Sequence, residues 1–202
     1  MPTEIKLPYE AWQRAMHARK AWQEGKSNGP RLRVKREISP GERESAEEYL
    51  ESIEVDEERT KTMQILTIGY GNRPLAELVG ILQRFKVKVL VDVRSRPYSR
   101  WRPEFNRPAL MDAIELGEIE YVWMGKVLGG LHEWTEVQRL EGVLKVRKMC
   151  DKGVVAIMCS ESEPPDCHRW QDLGARFEKA GLEVEHWSWK QRGFYVENGT
   201  LF

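Results

Sequence analysis

From residue 63 onward the chain alternates between two hydrophobic patterns. Short apolar runs at residues 64–68 (QILTI), 88–93 (KVLVDV), 119–123 (IEYVW), 154–159 (VVAIMC) and 183–189 (EVEHWSW) predict five strands. The stretches between them repeat their apolar residues every three or four positions, which predicts helices. Pro74 sits at the head of the first, where a missing N–H does no harm, and Leu75, Leu78, Val79 and Leu82 give it one apolar face. Pro108 opens a second helix to about Leu116, residues 135–151 form a third, and residues 166–180 form a fourth. Asp166 is a good N-cap for that fourth helix, and Gly181 is a good glycine for its end. Five strands alternating with four helices predict an α/β domain with a mostly parallel sheet covered on both faces. Right-handed crossovers then give a Rossmann-like three-layer layout, most simply in the strand order 3-2-1-4-5. Residues 191–202 are able to add a small edge element.

Residues 1–62 follow a different pattern. Tyr9, Trp12 and Met16 make a helical stripe, so residues 8–24 read as an amphipathic helix. Residues 1–36 hold nine Lys/Arg against three Asp/Glu, and residues 37–60 hold ten Asp/Glu against two Lys/Arg. A basic block followed by an acidic one reads as an N-terminal extension, 1–62, on a domain at 63–202. The acidic stretch is expected to fold over the Arg-rich loop described below and to compete with an anionic ligand.

The totals narrow the classes further. Lys plus Arg and Asp plus Glu are 32 each, so net charge names no partner. No apolar run approaches the roughly 18 residues of a membrane span, and the first twenty residues lack a signal-peptide core. Three cysteines are an odd count and too few for a disulfide framework. A reducing, cytoplasmic setting and no membrane partner are the expectation.

In parallel sheets, ligands bind beyond the carboxyl ends of the strands, and three loops fall there. Gly69-Tyr70-Gly71-Asn72 follows the first strand; its glycines permit close backbone approach, and a helix start offers N–H groups to an anion. It lacks the third glycine of a dinucleotide fingerprint and the lysine of a P-loop, so a plain tight turn is the competing reading. The second loop carries Arg94, Arg96, Arg100, Arg102 and Arg107 with Tyr98, Trp101 and Phe105. Guanidinium forks suit phosphate, and interleaved aromatic rings suit stacked bases. The competing reading is a solvated loop whose arginines pair with acids elsewhere.

The third loop runs Cys159-Ser160-Glu161-Ser162-Glu163-Pro164-Pro165-Asp166-Cys167-His168-Arg169. With Asp166 as N-cap, Cys167, His168 and Arg169 occupy a first helical turn, where a thiol loses its proton more easily. His168 can serve as an acid or a base. Cys167 as nucleophile, Cys159 and Cys167 as a dithiol, and a metal site all stay open, beside a purely structural role. A tyrosine-phosphatase loop is excluded, because it needs Arg six residues after Cys159 and position 165 is Pro. Seven residues between the cysteines is not a usual zinc spacing, so a metal would need His132 or His186 from afar; no metal is assigned. His186 itself reads more readily as a half-buried strand residue.

The chain resembles the DUF488 family, a set of α/β domains of unknown function. The resemblance lies in Thr67-Ile68-Gly69-Tyr70-Gly71-Asn72-Arg73, Val91-Asp92-Val93-Arg94-Ser95-Arg96-Pro97-Tyr98-Ser99-Arg100, Phe105-Asn106, Ile119-Glu120-Tyr121, Leu128-Gly129-Gly130, Met158-Cys159-Ser160-Glu161 and Cys167-His168-Arg169, in that order over about 64–187. Ser160 replaces the usual Ala. The resemblance implies one α/β domain and the same three loops, and no reaction.

The resulting expectation is an enzyme for an anionic, nucleotide-like or nucleic-acid substrate. Asp92 and Cys167 are the candidate base and nucleophile, His168 the proton carrier and Cys159 the neighbouring thiol. Gly69, Tyr70, Gly71, Asn72, Arg94, Arg96, Tyr98, Arg100, Trp101 and Arg169 are the candidate binding residues. A noncatalytic DNA- or RNA-binding or interaction module, or a thiol redox or metal-binding protein, is the alternative. No cofactor is assigned.

Overall fold

A computed structural model describes residues 64–131 and 135–195. The N-terminal extension, with its basic and acidic blocks, and His132 lie outside the described residues. The elements in chain order are β1 (Ile65–Gly69), α1 (Leu75–Arg84), β2 (Val89–Asp92), α2 (Arg107–Leu116), β3 (Glu120–Trp123), the short α3 (Gly125–Leu128), α4 (Glu136–Met149), β4 (Val155–Cys159), α5 (Ala175–Lys179), β5 (Val184–Ser188) and β6 (Gly193–Phe194). All five expected strands form, and a two-residue sixth pairs antiparallel with β5.

The sheet order is β3-β2-β4-β1-β5-β6, which corrects the expected 3-2-1-4-5. β4 is inserted between β2 and β1 and pairs parallel with both, matching Val91 to Ile157 on one side and Thr67 to Ile157 on the other. Hydrophobicity explains why the sequence reading missed this. β1 and β4 are each buried at every position, so either pattern suits a central strand, and burial does not say which neighbour a strand takes.

Alternation along the strands builds two cores, one on each face. Leu66, Ile68, Leu90, Ala156 and Met158 pack with Leu78, Ile81 and Leu82 of α1 and with Leu110 and Ile114 of α2. Ile65, Val89, Val91, Val155, Ile157 and Cys159 point the other way, against Val143 and Val146 of α4 and Phe177 of α5. Each fully buried side chain of this size contributes about 1.5–3 kcal/mol. Helices thus cover both faces of a mostly parallel sheet. Among the described residues no helix is long and apolar enough to cross a membrane.

Two helix starts behave differently. Thr135 caps α4 with a full capping box to Gln138, which satisfies orphan N–H groups from both directions. The fourth expected helix is broken. Asp166 closes a 3-10 turn, Pro164–Asp166, and is not the N-cap. Cys167 is extended, at φ −133° and ψ 144°, and its carbonyl accepts from the N–H groups of Trp170 and Gln171. A π-helical turn, Arg169–Gly174, follows and leads into α5. The two prolines at 164 and 165 account for the break, since neither can donate to a preceding turn.

Candidate functional site

All three candidate loops meet at the carboxyl end of the sheet, and the insertion of β4 is the cause. Its loop emerges between those of β1 and β2. Tyr70 N–H donates to Cys159 O at 3.3 Å, and Gly71 N–H to Ser160 O at 2.9 Å. Arg102 Nη1 donates to Gly71 O at 3.1 Å, and its Nη2 donates to Arg73 O. Ser95 Oγ accepts from Leu131 N–H at 3.1 Å.

Within this junction the polar groups fall on two sides of the sheet. Asp92 alternates with Val91 and Val93, whose side chains belong to the α4 face, so its carboxylate lies on the α1 and α2 face. There it is fully buried. Oδ1 accepts from Arg94 N at 3.0 Å and Nε at 2.9 Å, while Oδ2 accepts from Arg94 Nη2 and Tyr121 Oη, both at 2.6 Å. Arg94 donates further to Tyr70 Oη at 3.3 Å and lies 5.4 Å from the Tyr70 ring centroid. Tyr70 stacks on Phe105 with centroids 3.9 Å apart. Burial opposes the charge on Arg94, but the Asp92 bonds more than offset it, so its pKa is raised. Burial, then the Asp92 charge, raises Tyr121 as well. Asp92 and Arg94 thus hold each other, and four donors occupy the lone pairs that a general base needs free.

The cysteine cluster lies on the opposite, α4 face. Cys159 and Cys167 pack there with Val93, Met124 and Leu128. Cys167 Sγ is 3.6 Å and Cys159 Sγ 3.9 Å from His168 Nδ1. His168 Nε2 lies 3.1 Å from the Leu128 carbonyl. A carbonyl accepts only, so Nε2 carries the proton and Nδ1 presents its lone pair to both sulfurs when the ring is neutral. The Cys167 thiol, hydrogen-bonding to Cys159, pulls Cys159 below the usual thiol value against the effect of burial, and His168 adds to that pull. The same bond, with burial, pushes Cys167 up. The two thiols are thus linked: loss of the proton from one holds the proton on the other.

Glycines set how closely the loops approach. A Cβ at Gly69 would stand 1.5 Å from the Glu161 carbonyl oxygen, and one at Gly130 would stand 3.0 Å from the His168 ring. The space at Gly69 is filled by the protein's own backbone rather than left to a ligand. The N–H groups of Tyr70, Gly71 and Arg73 are all bonded within the protein; Asn72 is exposed. These bonds tie the turn to the loops after β4.

Arg169 bonds the loop after β4 from within. It is fully buried, donating Nη1 to Glu161 O at 2.7 Å and Nη2 to Ser162 O at 3.1 Å. Arg96, Tyr98 and Arg100 are exposed, and Trp101 is 91% exposed. Neither Arg96 nor Arg100 has an ion pair or hydrogen bond among the described residues. His186 stands apart from the cysteines, with Nδ1 2.6 Å from Thr67 Oγ1 and its ring packed on Trp170.

Sequence reasoning missed three supports. Tyr121 pins Asp92, Arg102 ties the Arg-rich loop to the turn after β1, and the Leu128 carbonyl fixes the tautomer of His168. Only the last had a usable signal, in the Gly129-Gly130 pair that lets the backbone come close to a side chain.

No curated protein and no solved structure matches the chain. The model of one family, Domain of unknown function DUF488, matches residues 74–170. That span includes α1, β2, β3 and β4 and ends just past Cys167 and His168, leaving β1 and β5 outside it. The segment that carries the Asp92–Arg94 pair, the Arg-rich loop and the cysteine cluster is thus the part of the chain that is similar to the DUF488 family.

Proposed function

We propose that this domain is an enzyme for an anionic, nucleotide-like or nucleic-acid substrate, which it holds on the exposed Arg-rich loop and presents to the Cys159–Cys167–His168 cluster. The observation that carries the reading is the state of Arg96 and Arg100. They are exposed and unpaired among the described residues, and they flank Tyr98 and a 91% exposed Trp101. An indole left in water, next to two unpaired guanidinium groups, suits base stacking combined with phosphate binding. The loop beneath them is held in place, since Ser99 Oγ accepts from Arg102 N at 3.1 Å and Asn106 Oδ1 from Ser99 N at 2.6 Å. A loop already ordered has less entropy to lose on binding.

Short contacts connect this surface to the thiols. Ser95, next to Arg96, bonds Leu131, and the neighbouring Gly130 packs on His168. A substrate lying along the loop thus reaches the edge of the cluster. With its carboxylate closed, Asp92 positions Arg94 and Tyr121 instead of taking a proton. Cys159 is the electron-rich group of the site, and His168 is the group able to move a proton.

Binding of labelled single-stranded DNA and RNA by fluorescence anisotropy tests this. Affinity should fall steeply with salt. Arg96→Ala and Arg100→Ala should each flatten the logarithmic salt slope by roughly 1, and Trp101→Ala should weaken binding by about 1–3 kcal/mol. No binding to either polymer at low salt, or variants that bind like the parent, would reject the nucleic-acid reading.

A further inference from the structure

We propose that Cys159 Sγ, Cys167 Sγ and His168 Nδ1 form three vertices of a tetrahedral site for a zinc-class divalent ion, with the fourth vertex open to water or substrate. Geometry carries this. A tetrahedral ion with Zn–S of about 2.3 Å and Zn–N of about 2.0–2.1 Å spaces its ligands about 3.5 Å apart along S–N edges and about 3.8 Å along S–S edges. The two sulfurs stand 3.6 and 3.9 Å from Nδ1, and all three atoms lie within 4.8 Å of one another. The spacing leaves room for an ion at the centre with small movements of the side chains. All three cysteines are free.

The surroundings fit a ligand set as well. His168 Nε2–H donates to the Leu128 carbonyl, the outer bond that metal-binding histidines commonly make to fix the tautomer and aim the other nitrogen. Gly130 leaves no side chain between its loop and the ring. Cys159 ends a fully buried strand, and Cys167 is held extended by its position before the π-helical turn, so both sulfurs sit on rigid backbone. Two thiolates and an imidazole select a soft or borderline ion such as zinc over magnesium or calcium. Binding releases to solvent the protons the thiols carry, because the thiolate is the ligand. A three-ligand site with one free position is the catalytic rather than the structural type of zinc centre.

The unusual seven-residue gap in the sequence is consistent with this. One sulfur comes from a strand end and the other from the far side of a proline-stiffened loop, so the usual short spacing of a zinc turn does not apply. The histidine adjoins the second cysteine, and no distant His is required for these three vertices.

The assignment rests on the proposed reaction centre only for the use of the open position; the ion's presence is independent of any nucleic acid. The test is cobalt titration of the full chain, purified under reductant and stripped of metal. One equivalent of Co²⁺ should give thiolate-to-cobalt charge transfer in the near ultraviolet and tetrahedral d–d bands in the visible, both removed by Zn²⁺. Cys159→Ser, Cys167→Ser and His168→Ala should each weaken binding on the order of 100-fold or more, and Cys150→Ser should leave it unchanged. Absence of the charge-transfer band in the parent chain, or its loss only in Cys150→Ser, overturns the site. Should the variants unfold, the parent chain decides alone: Zn²⁺ should shield Cys159 and Cys167, but not Cys150, from alkylation, and equal labelling with and without Zn²⁺ overturns the site. Loss of oligonucleotide binding in Arg96→Ala with the cobalt spectrum intact counts against the substrate reading and leaves the metal site standing.

Discussion

Two polar groups at the same end of one sheet are built on opposite terms. On the α1 and α2 face, Asp92 meets four donors, and Arg94 and Tyr121 turn their polar atoms onto it. On the α4 face, two sulfurs and a ring nitrogen converge at 3.6 and 3.9 Å, the long, weak hydrogen bonds of sulfur. The first network uses every polar group to hold its own loops together, whereas the second gathers three soft or basic donor atoms in one place.

The largest expected effect breaks the closed side. Asp92→Ala strands a buried guanidinium and a buried phenol, and removing one partner of such a pair costs about 3–5 kcal/mol. Urea unfolding of the variant checks it; a loss below about 1 kcal/mol would mean that the pair contributes little to the fold. Acid sharpens the comparison next. Burial, aided by the Arg169 charge, lowers His186 to about 4. Its folded value lies below the unfolded value of about 6.5. The neutral ring is thus favoured in the fold, and its contribution is complete above about pH 6.5. It is lost as pH falls toward 4, for a total of about 3 kcal/mol. Urea midpoints from pH 7 to pH 4, with the ring titration followed by NMR, measure this; a His186 titrating near 6.5 in the folded protein refutes it.

Smaller effects probe the open side. Gly130→Ala puts a methyl group against the His168 ring and should cost about 1–2 kcal/mol from overpacking, with a weakened cobalt spectrum. Cys150, whose thiol is pushed up to about 11 by burial, should alkylate more slowly at pH 7.5 than Cys159 in metal-free protein; mass spectrometry reads the order, and the reverse order contradicts the lowered Cys159 value. The smallest effect is the sharpest contrast among arginines. Arg96→Ala and Arg100→Ala should change stability by no more than about 0.5 kcal/mol, although Arg94, in the same loop, is locked in the core.

The sequence made the elements and the site neighbourhood legible for identifiable reasons. The short apolar runs KVLVDV and VVAIMC marked buried strands, the three- and four-residue spacing of Leu75, Leu78, Val79 and Leu82 marked α1, and the loop rule located three segments at one sheet end. Other features could not be read. Nothing in the apolar run 154–159 states that β4 pairs with both β1 and β2. Nothing local distinguishes Arg94 from Arg96, because their fates depend on Tyr70 and Tyr121, residues distant in the chain. Asp92 looked like a base because a carboxylate at a strand end often is one; only its four bonds show otherwise. Asp166 looked like an N-cap, but Pro164 and Pro165 turned the backbone first.

The insertion of β4 also has a consequence for how the chain comes together during synthesis. Among the described strands β1 pairs only with β4 and β5, so it finds no described strand partner until residue 159 has left the ribosome. β2 and β3 can pair much earlier, which leaves two unjoined halves of a sheet waiting for one late segment. Pairings this distant along the chain slow folding and expose strand edges meanwhile. The segment that ends in Cys159 is therefore the one that closes the sheet, and the thiol cluster is assembled in the same late step.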